Sequence, residues 1–134
     1  MSKINTICII DDDPIYTFLL NRTITKLNVC DEVLSYVNGE VAINAFYSIL
    51  ASGGTLPDII LLDINMPLMD GWQFIWEFKK ILPKAEKKIA LYIASSSITI
   101  EDRAKARAFP EITEYLVKPI EPQTLLHIAE RFSG

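Results

Sequence analysis

The segment from residue 58 to residue 71 is DIILLDINMPLMDG. Its first five residues, 58–62, have the length of a β-strand and show almost no polar alternation. An apolar run of this kind is typical of a parallel strand that is covered by helices on both faces. Asp63 closes the run, and a loop rich in turn-forming residues follows it. The segment therefore predicts a central strand of an α/β protein.

The segments on either side of this strand alternate between strand-like and helix-like patterns. Apolar runs predict strands at 4–10, 32–37, 58–62, 89–94 and 113–117. Apolar residues with helical spacing predict helices at 14–27, 42–50, 71–82, 100–108 and 122–132, of which the fourth has a weak apolar face. Such an alternation predicts an open, doubly wound parallel sheet with helices on both faces, because crossovers between parallel strands are right-handed.

Helical spacing also predicts which side chains of each helix face the core. In the first helix these are Tyr16, Leu19, Leu20, Ile24 and Leu27. In the second helix they are Ala42, Ala45, Phe46, Ile49 and Leu50. In the third helix they are Phe74, Ile75, Phe78 and Leu82. An aspartate before Pro14 is expected to cap the first helix.

The length and the cysteine content favour one compact intracellular domain. The chain has 134 residues, so we expect a single domain over 1–134 and no fused output domain. Cys8 and Cys30 form no disulfide framework, and no signal peptide is recognisable, so we expect a cytoplasmic protein. The apolar runs are too short to cross a membrane.

The charge of the chain argues against nucleic acid as its main partner. The net charge is −4, and no basic stripe is available to neutralise phosphates. The lysines that do cluster are Lys79, Lys80, Lys84, Lys87 and Lys88. Glu77 and Glu86 interrupt this cluster, which predicts a solvated helix end and loop.

Polar residues follow the predicted strands at the edge where ligands bind in open parallel sheets. They are Asp11, Asp12 and Asp13 after the first strand, Asp63 after the third, Ser95 after the fourth and Lys118 after the fifth. Carboxylates held close together repel each other, and a hard divalent cation such as Mg²⁺ relieves that repulsion. Phosphoryl transfer needs positioning and charge neutralisation, and an aspartate can be its nucleophile. The set therefore predicts Mg²⁺-dependent phosphoryl transfer.

Four motifs together resemble those of receiver domains from two-component response regulators. They are IIDDDP at 9–14, LLDINMP at 61–67 with MDG at 69–71, ASS at 94–96 and YLVKP at 115–119. The resemblance covers essentially the whole chain and is closest to stand-alone, chemotaxis-type regulators. It implies a flavodoxin-like fold with the strand order 2-1-3-4-5.

The resemblance also assigns a role to each strand-end residue. Asp63 is implied as the phosphoacceptor. Asp12, Asp63 and the backbone carbonyl of Asn65 are implied as Mg²⁺ ligands, and Asp11 is implied to bind the metal through water. Lys118 is implied to pair with the phosphoryl group.

A switch is implied on the far side of the site. Ser95 is expected to move to bond the phosphoryl group, and the rotamer of Tyr115 is expected to follow it. This movement would change the face formed by the fourth helix, the fifth strand and the fifth helix. The resemblance also implies a cis bond before Pro119.

The function implied is that of a cytoplasmic phosphoacceptor in a phosphorelay. A sensor histidine kinase or a histidine phosphotransfer protein would phosphorylate Asp63, and a downstream protein target would read the result. Such a domain takes part in its own phosphotransfer and dephosphorylation but is not a turnover enzyme. We expect no direct binding of DNA and no membrane association.

Two other functions remain open on the sequence. Asp11-x-Asp13 after a first strand is similar to the opening motif of haloacid dehalogenase-type phosphatases, although Pro14-Ile15 departs from that motif. A receiver-like module that binds a partner without taking phosphate is the other possibility. A shift of one residue would also exchange the roles within the aspartate trio.

Several residues depart from the family pattern or allow a plainer interpretation. Ser95 replaces the commoner threonine, and Asn65 and Ser97 lie where the family tunes dephosphorylation. His127 is interpreted as an ordinary helix residue. Trp72 and Trp76 form either an exposed stripe for a partner or, as we favour, a packing contact with neighbouring loops.

Overall fold

A computed structural model describes residues 4–96 and 99–133, which form strands and helices in strict alternation. The strands are β1 (Ile4–Ile10), β2 (Cys30–Tyr36), β3 (Ile59–Leu62), β4 (Ala90–Ser95) and β5 (Ile112–Val117). The helices are α1 (Pro14–Leu27), α2 (Gly39–Ala51), α3 (Gly71–Ala85), α4 (Ile100–Ala106) and α5 (Pro122–Ser133). All neighbouring strands pair in parallel, in the order β2-β1-β3-β4-β5. The predicted flavodoxin-like, doubly wound sheet is therefore confirmed.

The sheet separates two apolar layers. The layer that includes α2 and α3 receives Ile60 and Leu62 from β3, and the layer that includes α1 and α5 receives Ile59 and Leu61. This division follows from the strand geometry, because successive side chains point to opposite faces. All four residues are buried, which explains why this strand shows no polar alternation.

Helix α4 is the least buried helix in the described part of the chain. Its single buried residue is Ala106, whereas Ile100 is 83% exposed. A capping box between Thr99 and Asp102 satisfies the backbone N–H groups at its start. The predicted weak apolar face is thus confirmed, although the helix ends at residue 106 rather than 108. No helix in the described ranges has the length and apolarity that a membrane crossing requires.

One predicted core position is wrong, and it lies at the edge of the apolar stripe of α1. Leu19 of α1 is 54% exposed, whereas Leu20 and Ile24 are buried. In α3, Leu82 packs against the core but is only partly buried, whereas its neighbour Ile81, which was not predicted, is fully buried. Consecutive helical residues are about 100° apart, so the edge of an apolar stripe is easily assigned to the wrong neighbour.

The boundaries of several elements, among them β2 and α3, also differ from the prediction. Strand β2 begins at Cys30, two residues early, and Val37 lies beyond its end with 62% exposure. Helix α3 continues through Pro83 to Ala85. A proline so close to the end of a helix removes little of the hydrogen-bond ladder, so the helix tolerates it.

The lysine cluster is not entirely solvated. Lys87 Nζ lies 2.5 Å from Asp58 Oδ1 and donates to the carbonyl of Leu56 at 2.8 Å. Asp58, which precedes β3 instead of belonging to it, also accepts from the backbone N–H of Asn5 at 2.7 Å. The prediction of a solvated loop is therefore wrong for Lys87, which joins its loop to the edge of the sheet opposite the strand carboxyl ends.

Candidate functional site

The two central strands place their terminal aspartates side by side. Asp11 follows β1 and Asp63 follows β3, and these strands are neighbours in the sheet. The N–H of Asp63 donates to the carbonyl of Ile10 at 2.9 Å, and the N–H of Asp11 donates to the carbonyl of Tyr36 at 3.1 Å. The backbone of both aspartates is therefore held by the sheet ladder.

Three carboxylates converge at this edge. Asp11, Asp12 and Asp63 each offer an oxygen atom, and these atoms all lie within 4.8 Å of one another. Asp11 is 4% exposed and Asp63 is 6% exposed, whereas Asp12 faces solvent. Hard oxygen donors with one side open to water are what Mg²⁺ prefers in proteins. The donor set therefore fits the expected metal.

The electrostatics of Asp63 reflect this crowding. Burial raises the pKa of its carboxyl above the ordinary value, and the negative charges of Asp11 and Asp12 raise it further. The N–H of Asn65, which donates to Asp63 Oδ1 at 3.1 Å, and the ammonium of Lys118 act in the opposite direction. A divalent cation at this place would relieve the repulsion that raises the pKa.

Lys118 brings a positive charge into the acidic cluster. Its Nζ donates to Asp11 Oδ2 at 2.6 Å and lies 3.7 Å from Asp63 Oδ2. The peptide bond between Lys118 and Pro119 is cis, as predicted. The backbone N–H of Lys118 donates to the carbonyl of Ser95 at 2.8 Å. The ends of β4 and β5 are thus tied together directly beside the carboxylates.

The aspartate trio separates into metal-site residues and a capping residue. Asp13 is the N-cap of α1, and its Oδ1 accepts from the N–H groups of Ile15 and Tyr16 at 3.0 and 3.1 Å. Its own N–H donates to Asp11 Oδ1 at 2.9 Å. The expected cap on α1 is therefore provided by Asp13, which does not belong to the carboxylate cluster.

The loop after Asp63 is held close to the end of β3. The N–H of Gly71 donates to the carbonyl of Ile64 at 3.1 Å. A Cβ atom on Gly71 would lie 2.6 Å from Ile64 Cα and 2.9 Å from the carbonyl oxygen of Asp63. Only glycine permits this approach, because real Cβ atoms do not come so near to backbone atoms. The close packing fixes the segment that carries Asn65, whose side chain is exposed.

The predicted switch residues lie on the two strands next to the site. Ser95 is the last residue of β4 instead of following it, and it is 1% exposed. Tyr115 lies in β5, partly exposed, with the guanidinium of Arg103 at 5.8 Å from its ring centroid. Ser97, which was assigned to the tuning of dephosphorylation, lies outside the described residues.

The remaining singled-out residues lie away from the acidic cluster. His127 is an exposed residue of α5. Trp72 stacks on Phe109 with ring centroids 6.1 Å apart, and Trp76 meets Phe109 edge-on at 6.5 Å. Both tryptophans thus pack against the segment after α4, as favoured, although Trp76 remains 58% exposed.

Tyr16 is a neighbour of the site that was not predicted from the sequence. Lys118 Nζ lies 4.4 Å from the centroid of its ring. Burial raises the pKa of its phenol, and the charges of Asp11 and Asp63 raise it further, so the phenol stays neutral. The available signal was its position in the first turn of α1, directly after the aspartate trio. Its helical spacing alone predicts only a core residue.

Comparison with known proteins agrees with this geometry. Residues 7–130 match the family model described as the response regulator receiver domain. The chemotaxis protein CheY of Thermotoga maritima is 29% identical over 129 residues, which cover 95% of this chain and 96% of that protein. Other relatives are much longer, and the chain spans 14% of one and 46% of another.

Solved structures show the same architecture. A two-component response regulator from Cytophaga hutchinsonii is 33% identical, covers 98% of each chain and has a TM-score of 0.87. The receiver domain of a sensor histidine kinase from Pseudomonas aeruginosa, solved with a magnesium ion in its active-site cleft, shares the fold. It is 18% identical, covers 98% of each chain and has a TM-score of 0.76. With the fold, the strand-end geometry and the match over residues 7–130, this chain belongs to the response regulator receiver domains of two-component systems.

Proposed function

We propose that Asp63 is the phosphoacceptor of this receiver domain and that the reaction requires Mg²⁺. The metal would be held by Asp12, Asp63 and the backbone carbonyl of Asn65, with Asp11 bound through water. The observation that carries the proposal is the convergence of three carboxylates within 4.8 Å, beside the ammonium of Lys118. The Pseudomonas receiver domain, which has the same fold, holds magnesium in its active-site cleft.

The hydrogen bonds of the cluster favour Asp63 over Asp11 as the nucleophile. Both oxygens of Asp11 are engaged at short range, Oδ1 with the N–H of Asp13 and Oδ2 with Lys118. Oδ2 of Asp63 lies 3.7 Å from the ammonium of Lys118, which is longer than a hydrogen bond. That oxygen therefore keeps lone pairs for attack.

The reaction is a transfer of a phosphoryl group from nitrogen to oxygen. A carboxylate oxygen of Asp63 attacks the phosphorus of a phosphohistidine, and the new O–P bond forms as the N–P bond breaks. The imidazole nitrogen keeps the electron pair and takes a proton from solvent. Mg²⁺ supplies positive charge to the transferring oxygens when bound. Lys118 moves from Asp11 to pair with a phosphoryl oxygen.

The phosphorylated state is expected to reach the surface through β4, β5 and α4. The hydroxyl of Ser95 would bond the phosphoryl group, Tyr115 would follow, and the α4-β5-α5 face would change. Helix α4 is suited to this because it buries a single residue among those described, so shifting it costs little apolar burial. Phosphorylation is expected to alter amide hydrogen exchange across residues 98–109, and unchanged exchange there would refute the route.

The partners follow from the chemistry. Receiver domains act with histidine kinases or phosphotransfer proteins, and we propose a downstream protein target instead of DNA because the chain is acidic. We also propose a cytoplasmic location, since Cys8 and Cys30 are free thiols. The domain takes part in its own phosphorylation and dephosphorylation and turns over no external substrate.

The two rival functions have less support. A haloacid dehalogenase-type phosphatase would need Asp13 beside the nucleophile, but the carboxylate of Asp13 caps α1. A receiver-like module without phosphorylation would be expected to lack part of the acidic cluster or its lysine, and both are present here.

The decisive experiment is intact-mass analysis after incubation with a small phosphoramidate donor, with and without Mg²⁺. We expect one added phosphoryl group on the wild type only when Mg²⁺ is present, and none on Asp63→Asn. Asp13→Asn is the matched control, because asparagine retains the helix cap and removes one carboxylate from the same segment. It should be labelled like the wild type. Mg²⁺-dependent labelling of Asp63→Asn would mean that another residue is the acceptor.

A further inference from the structure

Tyr16 lies between the start of α1 and the acidic cluster. Its backbone N–H donates to the capping carboxylate of Asp13 at 3.1 Å, which fixes the first turn of the helix. Its side chain is partly buried and extends beneath the ammonium of Lys118, with Nζ 4.4 Å from the ring centroid. Its hydroxyl oxygen is buried and, among the described residues, makes no hydrogen bond. No hydrogen bond among the described residues orients the side chain, whose ring packs against the apolar layer of α1 and α5 and contacts the ammonium.

The ammonium of Lys118 needs such a support. A lysine side chain is flexible, and its charge is carried by a compact group without directional preference. Here the ammonium has Asp11 at 2.6 Å, Asp63 at 3.7 Å and the ring of Tyr16 at 4.4 Å. The side chain of Lys118 is 15% exposed, so little water competes for the ammonium. A cation over the face of a tyrosine ring in a poorly solvated place is attracted to the ring quadrupole.

We propose that Tyr16 is a positioning residue for Lys118, whose ring holds the ammonium between Asp11 and Asp63. This inference rests on the proposed role of Asp63 as phosphoacceptor. An aromatic face has no fixed acceptor atom, so the ammonium can shift from Asp11 towards a phosphoryl group on Asp63 while the ring remains beneath it. A hydrogen-bonding residue in the place of Tyr16 would hold the lysine at one position instead.

The first test measures the rate of phosphorylation of the full chain by a phosphoramidate with Mg²⁺. Tyr16→Leu removes the ring but keeps an apolar side chain, and we expect it to slow the reaction by about 2- to 30-fold, the range that a cation–π contact covers. Tyr16→Phe restores the ring and should recover most of the wild-type rate. Urea unfolding of each variant establishes that the folded protein is compared.

Two controls separate positioning from a general effect on the fold. Tyr47, on α2, also has its ring under a lysine ammonium, that of Lys84 at 6.0 Å. The Tyr47→Leu variant should therefore be phosphorylated at the wild-type rate. On a Lys118→Met background, Tyr16→Leu should cause no further slowing, because the group that it positions is gone. Equal slowing with and without Lys118 would overturn the proposal, and so would a Phe variant as slow as the Leu variant.

A second measurement is independent of phosphorylation. The ε-CH₂ protons of Lys118, which are next to the ammonium that lies over the ring, should show an upfield ring-current shift by NMR in the wild type and in Tyr16→Phe, without metal or donor. The shift should disappear in Tyr16→Leu. An unchanged lysine resonance in Tyr16→Leu would overturn the contact itself. If the wild type takes no phosphoryl group, the proposed role of Asp63 fails, and this spectrum still decides whether Tyr16 holds Lys118.

Discussion

Replacing Gly71 with alanine tests how tightly the loop that follows the phosphoacceptor is packed. Gly71 is the first residue of α3, and a Cβ atom there would lie 2.6 Å from Ile64 Cα and 2.8 Å from Ile64 Cγ2. It would also lie 2.9 Å from the carbonyl oxygen of Asp63. Two of these three atoms, including the nearest, belong to the backbone and cannot rotate away, so either the start of α3 or the end of β3 must move.

The size of the effect follows from two opposing terms. Overpacking of a buried site costs about 1–3 kcal/mol, and a clash with backbone belongs at the upper end of that range. Alanine gains up to about 1 kcal/mol over glycine from its helix propensity, and less in the first turn. We therefore expect Gly71→Ala to lower the free energy of unfolding by about 2 kcal/mol, which for a chain of this length corresponds to roughly 7 °C in Tm.

Urea unfolding followed by circular dichroism measures this loss, and Gly39→Ala is its matched control. Gly39 is the first residue of α2, also after a capping side chain, and its Cβ would meet Phe74 Cβ at 3.1 Å and Met69 Cγ at 3.2 Å. The carbonyl oxygen of Met69 would also lie at 3.2 Å. All three distances are longer than those at Gly71, so a shift of a few tenths of an ångström relieves the contacts and the cost should be smaller. A Gly71 variant as stable as the wild type, or more stable than the Gly39 variant, would refute the reasoning.

Three further outcomes are expected. Mg²⁺ at ten times its Kd should raise the free energy of unfolding by about 1.4 kcal/mol, and Asp12→Ala should abolish this gain. Thermal unfolding of both proteins with and without the metal measures it. Because folding raises the pKa of Asp63, the unfolded chain loses that proton first as the pH rises above about 3.9. Without metal, the free energy of unfolding should therefore decrease between that pH and the folded-state pKa. Urea titrations at a series of pH values should show this decrease in the wild type and not in Asp63→Asn. Lys87→Met should cost about 3 kcal/mol in urea unfolding, because it leaves the buried carboxylate of Asp58 without its cation, whereas Lys80→Met, at an exposed pair, should cost under about 1 kcal/mol. Equal losses for the two lysines would contradict this account.

The topology was predictable because it depends on patterns that are local in sequence. Apolar runs of strand length alternate with helical periods, and the crossover rule then leaves few arrangements. The strand order itself came from the family resemblance. Helix faces are harder to assign at the edges of an apolar stripe, and the inward placement of Leu19 is the error that results. The burial of Ile81 depends on how α3 rotates against the sheet, which its own residues do not specify.

The candidate site was predictable in its residues but not in its contacts. Three of its residues directly follow a strand, namely Asp11, Asp63 and Lys118, and Asp12 comes one residue later. The parallel strands alone therefore bring all four to one edge of the sheet. The aspartate that caps α1 is Asp13, but a shift of one residue along the chain would give the cap to its neighbour Asp12 with the same sequence pattern. The contact of Lys118 with Tyr16 joins residues about one hundred positions apart in the chain. No local pattern encodes such a pair.

The stacking of Trp72 on Phe109 gives the protein an optical reporter. The chain has two tryptophans, and both contact this phenylalanine, which follows α4, while Trp72 itself comes directly after Gly71 at the start of α3. A displacement of α4 relative to α3 would change the polarity and the quenching environment around both indoles. Intrinsic emission can therefore follow the arrival of a signal at α4 in the unlabelled protein, and its time course can be compared directly with that of phosphorylation.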